Sequence, residues 1–171
     1  MDNIVPSVFG RDLIEQVHAD STDSDGPRQV PVIVEKCIDA VEALGELHPG
    51  PFHPNRTHNL PAMDYEGIYR KSGGSGQSKM ITQLFERGDY ASFDLRDSDR
   101  FNDICSVTSV LKNYFRALPV PLLTFDLHDD FMAAIHGRDP VVKYGSLVDL
   151  ISKLPTEHYY TVRMLMLHLH R

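Results

Sequence analysis

The chain has 171 residues, 42% hydrophobic and 24% charged, with a net charge of −7; this fits one compact domain with a sizeable core and excludes a disordered chain. The acidic balance also excludes a general nucleic-acid or anionic-membrane binder, since both need a basic surface. No apolar run is long enough for a signal peptide or a membrane helix, so a cytoplasmic protein without membrane insertion is expected.

A short helical piece over 11–19 opens the chain, and the polar stretch 20–29 reads as a mobile linker. The next helix, over 31–44, begins at Pro31 and spaces Cys37, Ile38, Val41 and Leu44 on one face before Gly45 stops it. Residues 45–61 hold four prolines and three histidines with no apolar period, the signature of a surface loop or insertion. A helix over 77–87 carries Met80, Ile81, Leu84 and Phe85 on one side, with Gly88 after it. The strongest helical signal starts near Asn102, where Ile104, Val107, Val110, Leu111, Tyr114, Phe115 and Leu118 form a wide stripe ending at Pro119. Thr124 is expected to cap a helix that turns Leu127, Phe131, Met132 and Ile135 inward. Another helix runs from about Val141 to Leu154 and stops at Pro155. Thr156 is then expected to cap a last helix with Tyr159, Val162, Leu165, Met166 and Leu169 inward. No strand pair is legible, so the fold class is all-α, a helical bundle. Cys37 and Cys105 fall on apolar stripes in no metal or redox spacing and read as buried free thiols.

One loop carries chemistry. In Gly67-Ile68-Tyr69-Arg70-Lys71-Ser72-Gly73-Gly74-Ser75-Gly76, an apolar pair can anchor the segment while the glycines let a partner surface approach closely. A phosphate-binding P-loop fails on spacing, because Ser78 stands where the second glycine must be. Two readings stay open on the loop alone: a solvated turn, or an arginine offered in trans to a reacting phosphate. The second suits the residue type, since a planar guanidinium can bridge the γ-phosphate and the leaving oxygen.

A second motif follows at the end of the strongest helix, Leu111-Lys112-Asn113-Tyr114-Phe115-Arg116-Ala117-Leu118-Pro119-Val120-Pro121-Leu122. Lys112 and Arg116 lie one helical turn apart, so they share a face. By itself this reads equally as a solvated basic edge favoured by the helix dipole.

Together, the two motifs resemble the RhoGAP domain family. Val30-Pro31 through Cys37, and Leu154-Pro155 followed by a helix ending in His168-Leu169, extend the resemblance from about Val8 to Arg171, closest in flavour to fungal multidomain members. The resemblance implies a helical bundle of the RhoGAP type and a GTPase activator, not an enzyme with its own catalytic site. Its partner would be a Rho-type small GTPase in the GTP-bound state. No cofactor is implied for this chain, because GTP and magnesium belong to that partner. Arg70 matches the arginine finger, and Lys112 a lysine that contacts the GTPase and supports the finger loop. Arg116 matches an arginine that braces the loop from within, and Pro121 lies near the docking groove. On this reading Lys112 is expected to be exposed, and Arg116 partly buried on backbone partners. Arg70, Lys71, Lys79, Lys112 and Arg116 sit in short segments free of acids, and removing their charges from the net −7 leaves about −12 elsewhere. Such a basic spot, with Lys71 beside the finger, suits an acidic docking partner.

Two departures accompany the resemblance. Relatives continue into further helices, one bearing a switch-binding asparagine, so the bundle is expected to be incomplete at its C-terminal end. A GAP-like module that docks without stimulating hydrolysis is therefore the alternative reading. The chain is thus expected to consist of an N-terminal extension, 1–29, and a partial domain, 30–171, with an insertion at 45–61 inside the domain.

The remaining candidates are weaker. His48, His53 and His58, and the pair His168 and His170, have no metal-ligand spacing, so no metal site is expected. Asp94, Asp97, Asp99 and Asp103 lack the glycine and glutamate of a calcium loop and read as solvated or helix-capping residues. No Gly-x-Ser-x-Gly elbow of a serine hydrolase occurs.

Overall fold

A computed structural model describes residues 7–22, 26–44 and 67–170; the expected insertion at 45–61 lies outside them. The described residues form helices α1 (Leu13–Thr22), α2 (Val32–Leu44), α3 (Ser75–Glu86), α4 (Ile104–Ala117), α5 (His128–His136), α6 (Pro140–Ser152) and α7 (Thr156–His170), plus a 3-10 turn at Tyr90–Ser92. No strand occurs among them, in agreement with the all-α reading.

The centre is α4, which packs against α2 and α3. Its stripe buries Val107, Val110, Leu111 and Tyr114 against Ile33, Val34, Cys37, Ile38 and Val41 of α2 and Ile81, Leu84 and Phe85 of α3. Burying one such side chain contributes about 1.5–3 kcal/mol, so these three helices carry most of the core. The residues before Val30 add Val8 and Leu13 to the same cluster. Cys37 and Cys105 are both buried, as expected.

Local polar groups set the helix ends, and several differ from expectation. Asp20 is not linker: it lies in α1, only 3% exposed. Its carboxylate accepts from Val32 N (2.8 Å) at the start of α2 and from Gln16 Nε2 (2.8 Å). Burial pushes this carboxyl above its ordinary range, against the pull of those hydrogen bonds. Asp103 caps α4 through Cys105 N (3.0 Å), one of the roles read for the acidic stretch. Asp139 caps α6 through Val141 N (2.9 Å), with Pro140 next to it. Thr124 does not cap α5. It occupies a turn closed by Thr124 N on Pro121 O (2.8 Å), at a φ of 64°, a backbone region that strains a β-branched residue. Leu127 stands at the N-cap instead. At α7, Pro155 O accepts from Tyr159 N (2.8 Å), so Thr156 is the first helical residue and not the cap.

The second half of the chain buries less than its apolar periodicity suggests. Of the α5 residues expected inward, Phe131 is buried whereas Met132 and Ile135 are exposed. Only Leu150 of α6 is buried. On α7 the buried set is His158, Thr161, Val162 and His168, while Met166, Leu167 and Leu169 face outward. Pro121, Met132, Ile135, Ile151 and Met166 help to line an open, largely apolar cleft of about 560 Å³. Contiguous apolar surface of this kind drives non-specific association. The isolated 171-residue polypeptide is therefore expected to elute at rising apparent mass as its concentration is raised. The double substitution Met166→Glu with Leu169→Glu is expected to suppress this. A concentration-independent monomer before substitution would contradict it. No helix among the described residues is long and apolar enough to cross a membrane.

Candidate functional site

The site is a loop laid along one face of α4. It starts at Gly67, whose φ of 78° suits a residue without Cβ. Gly67 O then accepts from both Arg70 N (2.9 Å) and Lys71 N (2.8 Å), closing a tight turn with Arg70 at its exposed edge. A Cβ on Gly67 would lie 3.4 Å from Arg70 Nε and 3.5 Å from Nη2, so the guanidinium folds back over the bare glycine.

The polar residues of α4 hold this loop in register. Thr108 Oγ1 donates to Ile68 O (3.0 Å), and Lys112 Nζ donates to Tyr69 O (2.8 Å). Further along, Gly73 N donates to Ser109 Oγ (3.1 Å), Gly74 N to Asp103 Oδ2 (2.7 Å), and Ser106 Oγ to Gly74 O (3.2 Å). Thr108 and Lys112 are four residues apart and Ser106 and Ser109 three, so each pair shares a face of the helix. Partial burial of Asp103 works to raise its pKa. Bonds from the Ser106 hydroxyl and from the Gly74, Ser106 and Cys105 amides outweigh it, and its carboxyl sits below the ordinary range. At Gly73 the contact is closest: an added Cβ would lie 2.1 Å from Ser106 N. The loop backbone rests directly on the helix backbone.

A second set of contacts holds the apolar pair. Ile68 is buried in the main core, and Tyr69 packs against that core. The Tyr69 hydroxyl reaches Nε2 of His168 on α7 (2.5 Å), and Nδ1 of that imidazole reaches Glu42 Oε1 on α2 (2.9 Å).

The sequence-derived candidates are therefore partly assembled. Arg70 and Lys71 are both exposed on the loop that Lys112 supports. Lys112 and Arg116 reverse the exposures expected of them, while Lys112 does support the loop. Lys112 is half-buried on a backbone carbonyl, whereas Arg116 is exposed, with a 3.5 Å contact to Asn113 Oδ1. The reason is register: position 112 faces the loop, and position 116 lies a turn beyond it. Lys112→Ala is therefore expected to cost about 1–2 kcal/mol of stability, and Arg116→Ala less than about 0.5 kcal/mol, in chemical denaturation. The reverse order would contradict this placement. Pro121 lines the apolar cleft described above. Among the described residues no group of three or more His, Cys, Asp or Glu could hold a metal ion.

Thr108, Ser109, Ser106 and Glu42 are not among the sequence candidates, and His168 is weighed there only as a metal ligand and as part of the resemblance. A run of small hydroxyl residues beside an apolar stripe was the available signal for the first three.

With this geometry in place, comparison with known proteins defines the class. The RhoGAP domain profile matches residues 58–171. N-chimaerin of Bos taurus is 32% identical over 168 residues, covering 98% of this chain and 42% of that protein. Rho GTPase-activating protein 21 of Mus musculus is 32% identical over 142 residues, covering 83% of this chain and 6% of that protein. Among solved structures, human Rho GTPase activating protein 15 superposes with a TM-score of 0.75 at 29% identity, covering 95% of this chain and 65% of that one. The chain belongs to the RhoGAP domain family, and it spans less than half the length of these two relatives.

Proposed function

We propose that this chain stimulates GTP hydrolysis by a Rho-type small GTPase, and that Arg70 acts in trans on the GTP-bound partner. The single observation behind this reading is the exposure of Arg70 on a turn whose flanks are pinned to α4. The partner brings the nucleotide, its magnesium and the residue that positions water. Phosphoryl transfer spreads negative charge over the γ-phosphate and the leaving oxygen. A guanidinium can meet both with its planar fork, and a loop already ordered loses little entropy on presenting it. Lys112 supports the loop from below, Lys71 and Arg116 add exposed positive charge for docking, and Pro121, shortly after Arg116 in the chain, contributes to an apolar surface.

The test is single-turnover GTP hydrolysis by Rho-, Rac- and Ras-type GTPases with and without this chain. Stimulation of a Rho-type member is expected. Nucleotide-dependent binding without stimulation would replace this reading by that of a docking module.

A further inference from the structure

A buried imidazole lies next to the candidate site. His168 is 1% exposed, and both of its ring nitrogens have side-chain partners on different elements: Tyr69 in the loop and Glu42 on α2. A histidine that merely filled core volume would need no such pair. Tyr69 is the residue before Arg70, and its carbonyl already accepts from Lys112. Residue 69 is thus held at two points, through its main chain by α4 and through its hydroxyl by α7. Building on the function proposed above, we propose that the chain Glu42–His168–Tyr69 is a positioning device that fixes where Arg70 is presented.

The Glu42 carboxylate can only accept, so the ring donates to it from Nδ1. Burial pushes the Tyr69 hydroxyl well above its ordinary pKa, helped by Cys37 and Glu42 nearby, so the hydroxyl keeps its proton and completes the chain of hydrogen bonds at Nε2. The rings of Tyr69 and His168 meet edge to face, with centroids 5.8 Å apart at 77°. Rotating either ring breaks a bond made inside the protein, where an unmet polar group is costly. The orientation of the tyrosine, and with it the start of the Arg70 backbone, is over-determined. Neither Tyr69 nor His168 needs to touch the nucleotide for this to act.

Tyr69→Phe removes one oxygen and keeps the ring. It is expected to lower the maximal stimulated rate at saturating chain about 10- to 100-fold, with the half-saturating concentration changed less than about twofold. Exchange of the Arg70 and Lys71 amides, both bonded to Gly67 O, is expected to quicken about tenfold, while amides of α4 hold their rates. Glu42→Gln is expected to retain near-normal rate and exchange, because an amide oxygen can accept the same Nδ1–H bond. An unchanged maximal rate with unchanged exchange in Tyr69→Phe would overturn the proposal. So would a loss confined to the half-saturating concentration, or faster exchange throughout the core. Arg70→Ala in the same series separates the two ideas. If it too kept full stimulation, the functional reading would fail, and amide exchange alone would decide whether the device exists.

Discussion

Arg70→Ala is expected to lower the maximal rate of stimulated GTP hydrolysis about 10³- to 10⁵-fold, equivalent to about 4–7 kcal/mol of barrier, while association with the GTP-loaded partner stays nearly intact. The asymmetry follows from where the guanidinium acts. It meets charge that develops only as the phosphoryl bond loosens, so it stabilises the transition state far more than the bound ground state. The turn itself rests on Gly67 O and on α4, not on the Arg70 side chain, so the substitution leaves the loop in place. Arg70→Lys is expected to recover little, since an ammonium cannot span two oxygens in one plane. Stimulated rates measured at saturating chain check this, and full stimulation by Arg70→Ala would remove Arg70 from the site.

The second large effect is expected at Gly73, where the loop backbone rests on α4. A methyl group there would sit 2.1 Å from Ser106 N, 2.3 Å from its Cα and 2.4 Å from the Cys105 carbonyl carbon. These are backbone atoms in the first turn of α4, which cannot swing aside as a side-chain tip could. The loop must therefore lift, stretching the bonds from Gly73 N to Ser109 and from Gly74 N to Asp103. Gly73→Ala is expected to cost about 1–3 kcal/mol of folding stability and to cut the stimulated rate about 100-fold, by misplacing Arg70 on the scale of an ångström. Gly76→Ala is the matched control. It lies in α3 with nothing within 4 Å of the added carbon, and alanine there is expected to stabilise the helix by up to about 1 kcal/mol. Denaturation curves and stimulated rates for both variants decide the matter; a neutral Gly73→Ala would mean that the loop does not rest on α4 as described.

Helices α2, α3 and α4 were legible to within a few residues because each is a core helix with a single apolar stripe. The loop containing Arg70 was legible because turn chemistry and a charged tip are local features. Lys112 and Arg116 were not separable, since both are long cations on one face and only the docked loop decides which becomes half-buried. The polar inner face of α7 was hidden for a related reason. Hydrophobic periodicity gave weight to Met166 and Leu169, whereas the buried positions include His158, bonded to Leu122 O (2.8 Å), and His168. Asp20 looked like linker because its buried carboxylate finds its partner across the fold at Val32 N, besides Gln16 in its own helix. In each case the missing information was tertiary: which polar group finds a partner when it is buried.

If Arg70 enters the charge distribution of the partner's transition state, complex formation with an analogue of that state must depend on it. The measurement is affinity of this chain for a GDP-loaded Rho-type GTPase with and without aluminium fluoride, which mimics the phosphoryl group in flight. The expected result is tightening by a factor of at least about 100 on adding fluoride, abolished by Arg70→Ala while affinity for the GTP-loaded partner persists. An equal fluoride-dependent gain in the Arg70→Ala variant would contradict the claim.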